Sequence, residues 1–178
     1  ADKMAPVKPG AESLLYHPRT GDTRLDEPRA MCLPSGFPSG MLYILPIQIV
    51  QNPKYIVIIH ELQRATRIIP LDGRPHRQNL EPSYYGDSIG HWESDTLVID
   101  TVGFNESAWM DRFAMPHTSQ LHTLERVTRV DFNTLNYEVT IDDPGAYTAR
   151  WASGYTKQWE AGTDLFEYVC QENNYGPL

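Results

Sequence analysis

The chain has 178 residues, 40% of them hydrophobic, enough for one domain with an ordinary core. Asp and Glu number 23 against 15 Lys and Arg, a net charge of −8, and this argues against a surface that neutralises nucleic-acid phosphates or anionic lipid. The longest apolar run, Ile56–Ile59, is strand-sized and far below the roughly 18 residues of a membrane-spanning helix, so no membrane insertion is expected.

Residues 1–40 carry Pro6, Pro9, Pro18, Pro28, Pro34 and Pro38 with four glycines, a density that forbids a long helix and reads as an extended N-terminal arm. Such an arm wraps the surface of its own domain or orders on a partner chain or a second copy. The chain opens on Ala1, the form expected of an exported protein whose signal peptide has been removed, periplasmic or secreted. Cys32 and Cys170 lie near opposite ends; one disulfide pinning the arm to the last strand is expected, with two buried free thiols as the alternative.

Residues 41–178 read as a single β domain. Met41–Gln51 is strand-like with a bulge or edge at Pro46. Tyr55–Leu62 and Arg64–Leu71 follow, and Asp72-Gly73 is the strongest turn signal in the chain. After a polar loop, Ile89–Trp92 and Thr96–Val102 are expected to pair as a hairpin across Glu93-Ser94-Asp95. Asn105–Gln120 is a second long loop with one helical turn expected near Ser107–Arg112. Its Trp109, Met110, Phe113 and Met115 are more apolar surface than a solvated loop carries, so it is expected to cover a pocket mouth. Leu121–Phe132, Leu135–Asp142, Ala146–Glu160 and Thr163–Gln171 complete the strands. A meander of about eight or nine antiparallel strands is best closed into a barrel, because closure removes exposed edges and leaves room for one small ligand.

Several stretches carry a resemblance. Asp72–His76 (DGRPH), Ser88–Asn105 (SIGHWESDTLVIDTVGFN), Pro116–Phe132 and Thr140–Thr148 (TIDDPGAYT) resemble a family of uncharacterised bacterial proteins, expected to be exported, over most of Cys32–Cys170. The central motif of that family reads W-E-G-D-T-L-V, and this chain has Ser94 where the glycine stands. The element order is also similar to calycin-like, lipocalin-type barrels. Neither likeness implies a reaction.

The side chains suggest chemistry of three kinds. On Leu121–Phe132, His122 and Arg126 share one face and Glu125 the other; a His with a carboxylate moves protons while Arg steadies an oxyanion, so His117, His122, Glu125, Asp111 and Arg126 are the candidate catalytic set. The alternative for Glu125 is an external ion pair with Arg126 or Arg129. His76, Tyr84, Trp92 and Trp109 are candidate ligand-binding residues, since aromatic rings with polar tips suit sugar-like, phenolic or lipid-like molecules. No H-x-H, H-E-x-x-H or C-x-x-C spacing occurs, so no cofactor is expected unless His76, His117 and His122 assemble a divalent-metal site from separate loops. G-x-S-x-G elbows and Gly-rich phosphate loops are absent from the sequence.

Three functions stay open on these grounds. A barrel binding a small organic ligand leads, with acid-base catalysis on that ligand an option. A lyase, isomerase or hydrolase, with or without metal, is second. An accessory subunit whose arm clamps a larger assembly is third.

Overall fold

A computed structural model describes residues 5–11, 32–42, 45–111 and 115–170. The fold is all-β, in two antiparallel sheets. The first holds β1 (Ile47–Gln51), β2 (Tyr55–His60) and β3 (Thr66–Pro70). The second holds β4 (Asp87–Glu93), β5 (Thr96–Val102), β6 (His122–Arg129), β7 (Thr134–Asp142) and β8 (Trp151–Gln158), each sheet a meander of neighbouring strands. A single helical turn, α1 (Ser39–Leu42), precedes β1, where the sequence suggested the start of a strand. No described helix is long and apolar enough to cross a membrane.

The alternation read in the sequence sets the two inner faces. Ile56, Ile58 and Ile69 of the first sheet meet Leu97, Ile99, Tyr137, Val139 and Ile141 of the second in one core. Cross-strand rows fix the register: Leu97, Val127, Tyr137 and Tyr155 stand in line, as do Ile99, Glu125, Val139 and Ser153. The β4–β5 hairpin forms as expected, with Glu93 opposite Thr96. Ser94 sits at φ 52°, the left-handed conformation that glycine adopts without strain, which is where the resembled motif has its glycine.

The expected closed barrel is not formed among the described residues. No ladder joins β3 to β4 or β8 to β1. Pro70 ends β3 without an amide donor, and the chain then leaves the sheet edge for the outer face of the second sheet before β4 begins. The two sheets meet there through side chains: Ile69 and Leu71 pack so closely on Gly90 that a Cβ at that position would stand 2.8 Å from Ile69 Cγ2. Side-chain packing on a glycine, rather than a backbone ladder, joins β3 to β4.

Three further expectations change. Thr163–Gln171 is not a strand in its described part, which runs to Cys170. The expected helical turn after Asn105 is instead a side-chain turn in which Asn105 Oδ1 accepts from the Ser107 amide; Arg112 and Phe113 lie outside the described residues. The arm is more than a wrap, since Phe37 is fully buried against Phe104 and in the common core. Nearer its start, Val7 bridges Tyr147. Cys32 and Cys170 are bonded, with Cα atoms 5.7 Å apart and a separation of 138 positions in sequence. Closing a loop that long restricts the unfolded chain by about 5 kcal/mol in the chain-entropy treatment. The bond ties the arm to the segment beyond β8, and it fits an oxidising compartment.

Candidate functional site

Strand β6 carries charge on both faces, and the two faces meet different fates. On the inner face, Glu125 is 0% exposed and faces Arg67 of β3, 3% exposed, across the sheet-sheet gap. Arg67 Nη2 donates to Glu125 Oε1 at 2.6 Å and Nη1 to Oε2 at 3.0 Å, a bidentate pair. Further hydrogen bonds hold both groups: Arg67 Nη2 and Nε donate to Ser88 Oγ at 2.9 and 3.1 Å, Nη2 donates to Thr101 Oγ1 at 2.8 Å, and the Tyr137 hydroxyl donates to Glu125 Oε2 at 3.1 Å. The guanidinium lies over the Phe37 ring at 3.9 Å. Burial first, then the Glu125 charge, pushes the Tyr137 hydroxyl well above its ordinary range, so it stays a donor. Six residues from β3, β4, β5, β6, β7 and the arm are thereby joined. Glu125 is closed off from solvent in this network, so the expected catalytic partnership with His122 is not assembled.

On the outer face, the loop between β3 and β4 returns over the sheet and lays His76 between two carboxylates. His76 Nδ1 is 3.0 Å from Asp87 Oδ2, and Nε2 is 3.0 Å from Asp100 Oδ1. His122 Nε2 is 2.8 Å from the same Asp100 Oδ1. Ionised carboxylates only accept, so the two contacts of His76 are complete when both ring nitrogens carry protons. Arg77 fixes Asp87 from behind, its amide and Nε donating at 3.1 and 2.7 Å. Burial acts on Asp87 to raise its pKa, but the hydrogen bonds from Arg77 and His76 together hold it below the usual carboxylate range. His76, Asp100 and His122 are 23, 34 and 39% exposed, so this cluster is open to solvent. Arg126, on the same face, donates to Glu93 at 2.8 Å in an exposed pair.

His117 does not join them. It is buried in the loop beyond β5, where Nε2 donates to the Ala108 carbonyl at 2.6 Å. Asp111 closes the same loop by accepting from the Met115 amide at 3.0 Å. The metal set His76, His117 and His122 is therefore not brought together. Among the described residues no group of three or more His, Cys, Asp and Glu side chains stands ready as a metal cage.

A cleft of about 1100 Å³ opens at the other end of the sheets, between β1 and the neighbouring ends of β5, β6 and β8. Apolar and aromatic residues, among them Ile47, Ile49, Leu97, Trp92 and Trp159, line it together with polar ones, among them Gln48, Asp95, Arg129 and Lys157. Burial lowers the Lys157 pKa, and its ammonium lies 5.2 Å from the centre of the Tyr155 ring. Of the expected ligand-binding residues only Trp92 belongs to this cleft. Tyr84 is spent at the arm, its carbonyl accepting from the Phe37 amide. Trp109 lies in the Asn105–Gln120 loop, which caps the end of the second sheet opposite the cleft rather than the cleft mouth: Ala108 presses on Gly36 and Met110 enters the core.

Arg67, Asp87 and Asp100 are the site residues that sequence reasoning passed over. Asp100 was visible as the one charge in an otherwise β-branched run, and Arg67 as a charge two residues from Ile69 on the inward side of TRIIP. Comparison with models of known protein families, with curated proteins and with solved structures gave no match.

Proposed function

We propose that this chain is an exported protein that binds a small, largely apolar organic molecule with a polar end, in the cleft between the two sheets. The observation that carries the reading is the cleft itself: its volume suits a ligand of several rings or a short acyl chain, and its lining sets aliphatic and aromatic side chains such as Ile47, Leu97 and Trp92 beside polar ones such as Gln48, Arg129 and Lys157. The disulfide supports export. Catalysis by the His122–Glu125 pairing is disfavoured, because the two side chains lie on opposite faces of β6 and Glu125 is sealed. The arm residues that are described pack on their own core, which favours an intramolecular role over clamping a partner.

The test is titration of disulfide-intact, untagged protein with 1-anilinonaphthalene-8-sulfonate, an aromatic probe with a charged end, followed by its own emission and by quenching of Trp92 and Trp159. Saturable binding of one probe per chain is expected, lost in Ile49→Trp, which fills the exposed wall of the cleft. Absent saturable binding, or undiminished binding in a folded Ile49→Trp protein, overturns the reading.

A further inference from the structure

We propose that the molecule held in the cleft is an organic acid, an apolar body whose carboxylate docks on the Lys157 ammonium. This names the ligand class of the cleft reading and rests on that reading.

The register of the second sheet places the charge. Leu97, Val127, Tyr137 and Tyr155 form one row across its inner face, and Leu97, Val127 and Tyr155 line the cleft. Two residues further along the strands, on the same face, the next row is Arg129, Leu135 and Lys157, and all three line the cleft as well. An apolar floor therefore ends in a row that carries cations, about 7 Å away at two residues of strand. That spacing lets an acyl chain or ring lie on the floor while its head group reaches the charge. The Lys157 ammonium leans back toward the floor, 5.2 Å from the centre of the Tyr155 ring. Its field reaches inward: after burial and the Arg67 charge, the Lys157 charge also lowers the pKa of His60.

Burial singles out Lys157 among the charges lining the cleft. Asp95, Arg129, Glu160 and Asp164 line it too, and all four are exposed, so water and salt screen them. Lys157 is half-buried, and that burial lowers its pKa, because an ammonium that has shed water is a costlier charge. An anionic group beside it offsets the cost, a neutral group offsets less, and a second cation adds to it. The sign of the half-buried charge thus selects a carboxylate over an alcohol or an amine.

The test is calorimetric titration of untagged, disulfide-intact protein near neutral pH with three probes of equal chain length: octanoate, 1-octanol and octylammonium. Octanoate should bind at one per chain and more tightly than 1-octanol by roughly 10- to 100-fold, with octylammonium weakest. Lys157→Met and Lys157→Gln should bring octanoate level with 1-octanol. Lys54→Met, at an exposed lysine outside the cleft, should keep the full preference. Equal affinity of octanoate and 1-octanol for the parent protein, or an undiminished preference in a folded Lys157 variant, overturns the assignment and leaves the cleft reading standing. If neither probe binds, the cleft reading and the assignment fall together. Should both Lys157 variants fail to fold, the comparison of the three probes on the parent protein decides.

Discussion

The two faces of β6 hold networks built from nearly the same parts, carboxylates with cationic or protonatable partners, yet they do opposite work. The inner one, Arg67 with Glu125, is closed to solvent, and each nitrogen and oxygen of the pair has a hydrogen-bond partner. The outer one, His76 and His122 on Asp100, is half exposed and shares a single oxygen between two donors. Burial decides the difference. A sealed, bidentate ion pair fixes how two sheets sit, because moving either sheet strands a charge. An open one leaves its atoms free to exchange partners with water.

The comparison is broken most sharply by removing one charge from the inner network. Arg67→Met leaves Glu125 buried and unpaired and should cost about 3–5 kcal/mol of unfolding free energy in urea titration. Adding Glu125→Leu to it should recover much of that loss, since an apolar pair strands nothing. A double variant weaker than Arg67→Met alone would mean that the pair itself, rather than its stranding, holds the sheets.

His60 sharpens the picture of the interior. Burial first, and the nearby Arg67 charge second, lower its pKa to about 4, with a hydrogen bond to the Gly40 backbone acting the other way. A histidine depressed on folding takes up its proton more readily when unfolded, so its contribution is full above the ordinary value near 6.5 and is lost as pH falls toward 4. The loss should reach about 3 kcal/mol across that window. Urea midpoints measured from pH 7 to 4 should show this slope, and His60→Gln should flatten it.

Smaller effects belong to the outer side. Ser94→Gly relieves a left-handed serine at the β4–β5 turn and should raise stability by about 1 kcal/mol, read as an increase in Tm. Arg126→Ala breaks an exposed pair with Glu93 and should cost roughly 0.2–1 kcal/mol, less still at high salt.

Particular residues explain what was legible in the sequence. Period-two alternation placed β7 within one residue of its observed ends, because that strand buries one face, and the β-branched run Thr96–Val102 coincides with β5, which buries Leu97, Val98 and Ile99 in succession. Barrel closure was not legible: it turned on the route of the loop after Pro70 and on Ile69 wedging against Gly90, neither of which has a local signature. His122 was identifiable as a strand histidine, but its partner Asp100 is 22 residues away, and His76 reaches the same oxygen from a loop 24 residues away. The partner of Glu125 is 58 residues distant on another sheet. Nearer candidates, Arg126 and Arg129, instead bind Glu93 and the carbonyls of Asp131 and Phe132: Arg126, one residue along the strand, faces the opposite way, and Arg129, on the same face, stands about 13–14 Å further along it.

The division of labour across β6 is tested most directly by urea unfolding of His122→Ala beside Glu125→Ala. Removal of the outer histidine should change unfolding free energy by under about 1 kcal/mol, while removal of the inner carboxylate should cost about 3 kcal/mol or more. Equal losses in the two variants would contradict the account.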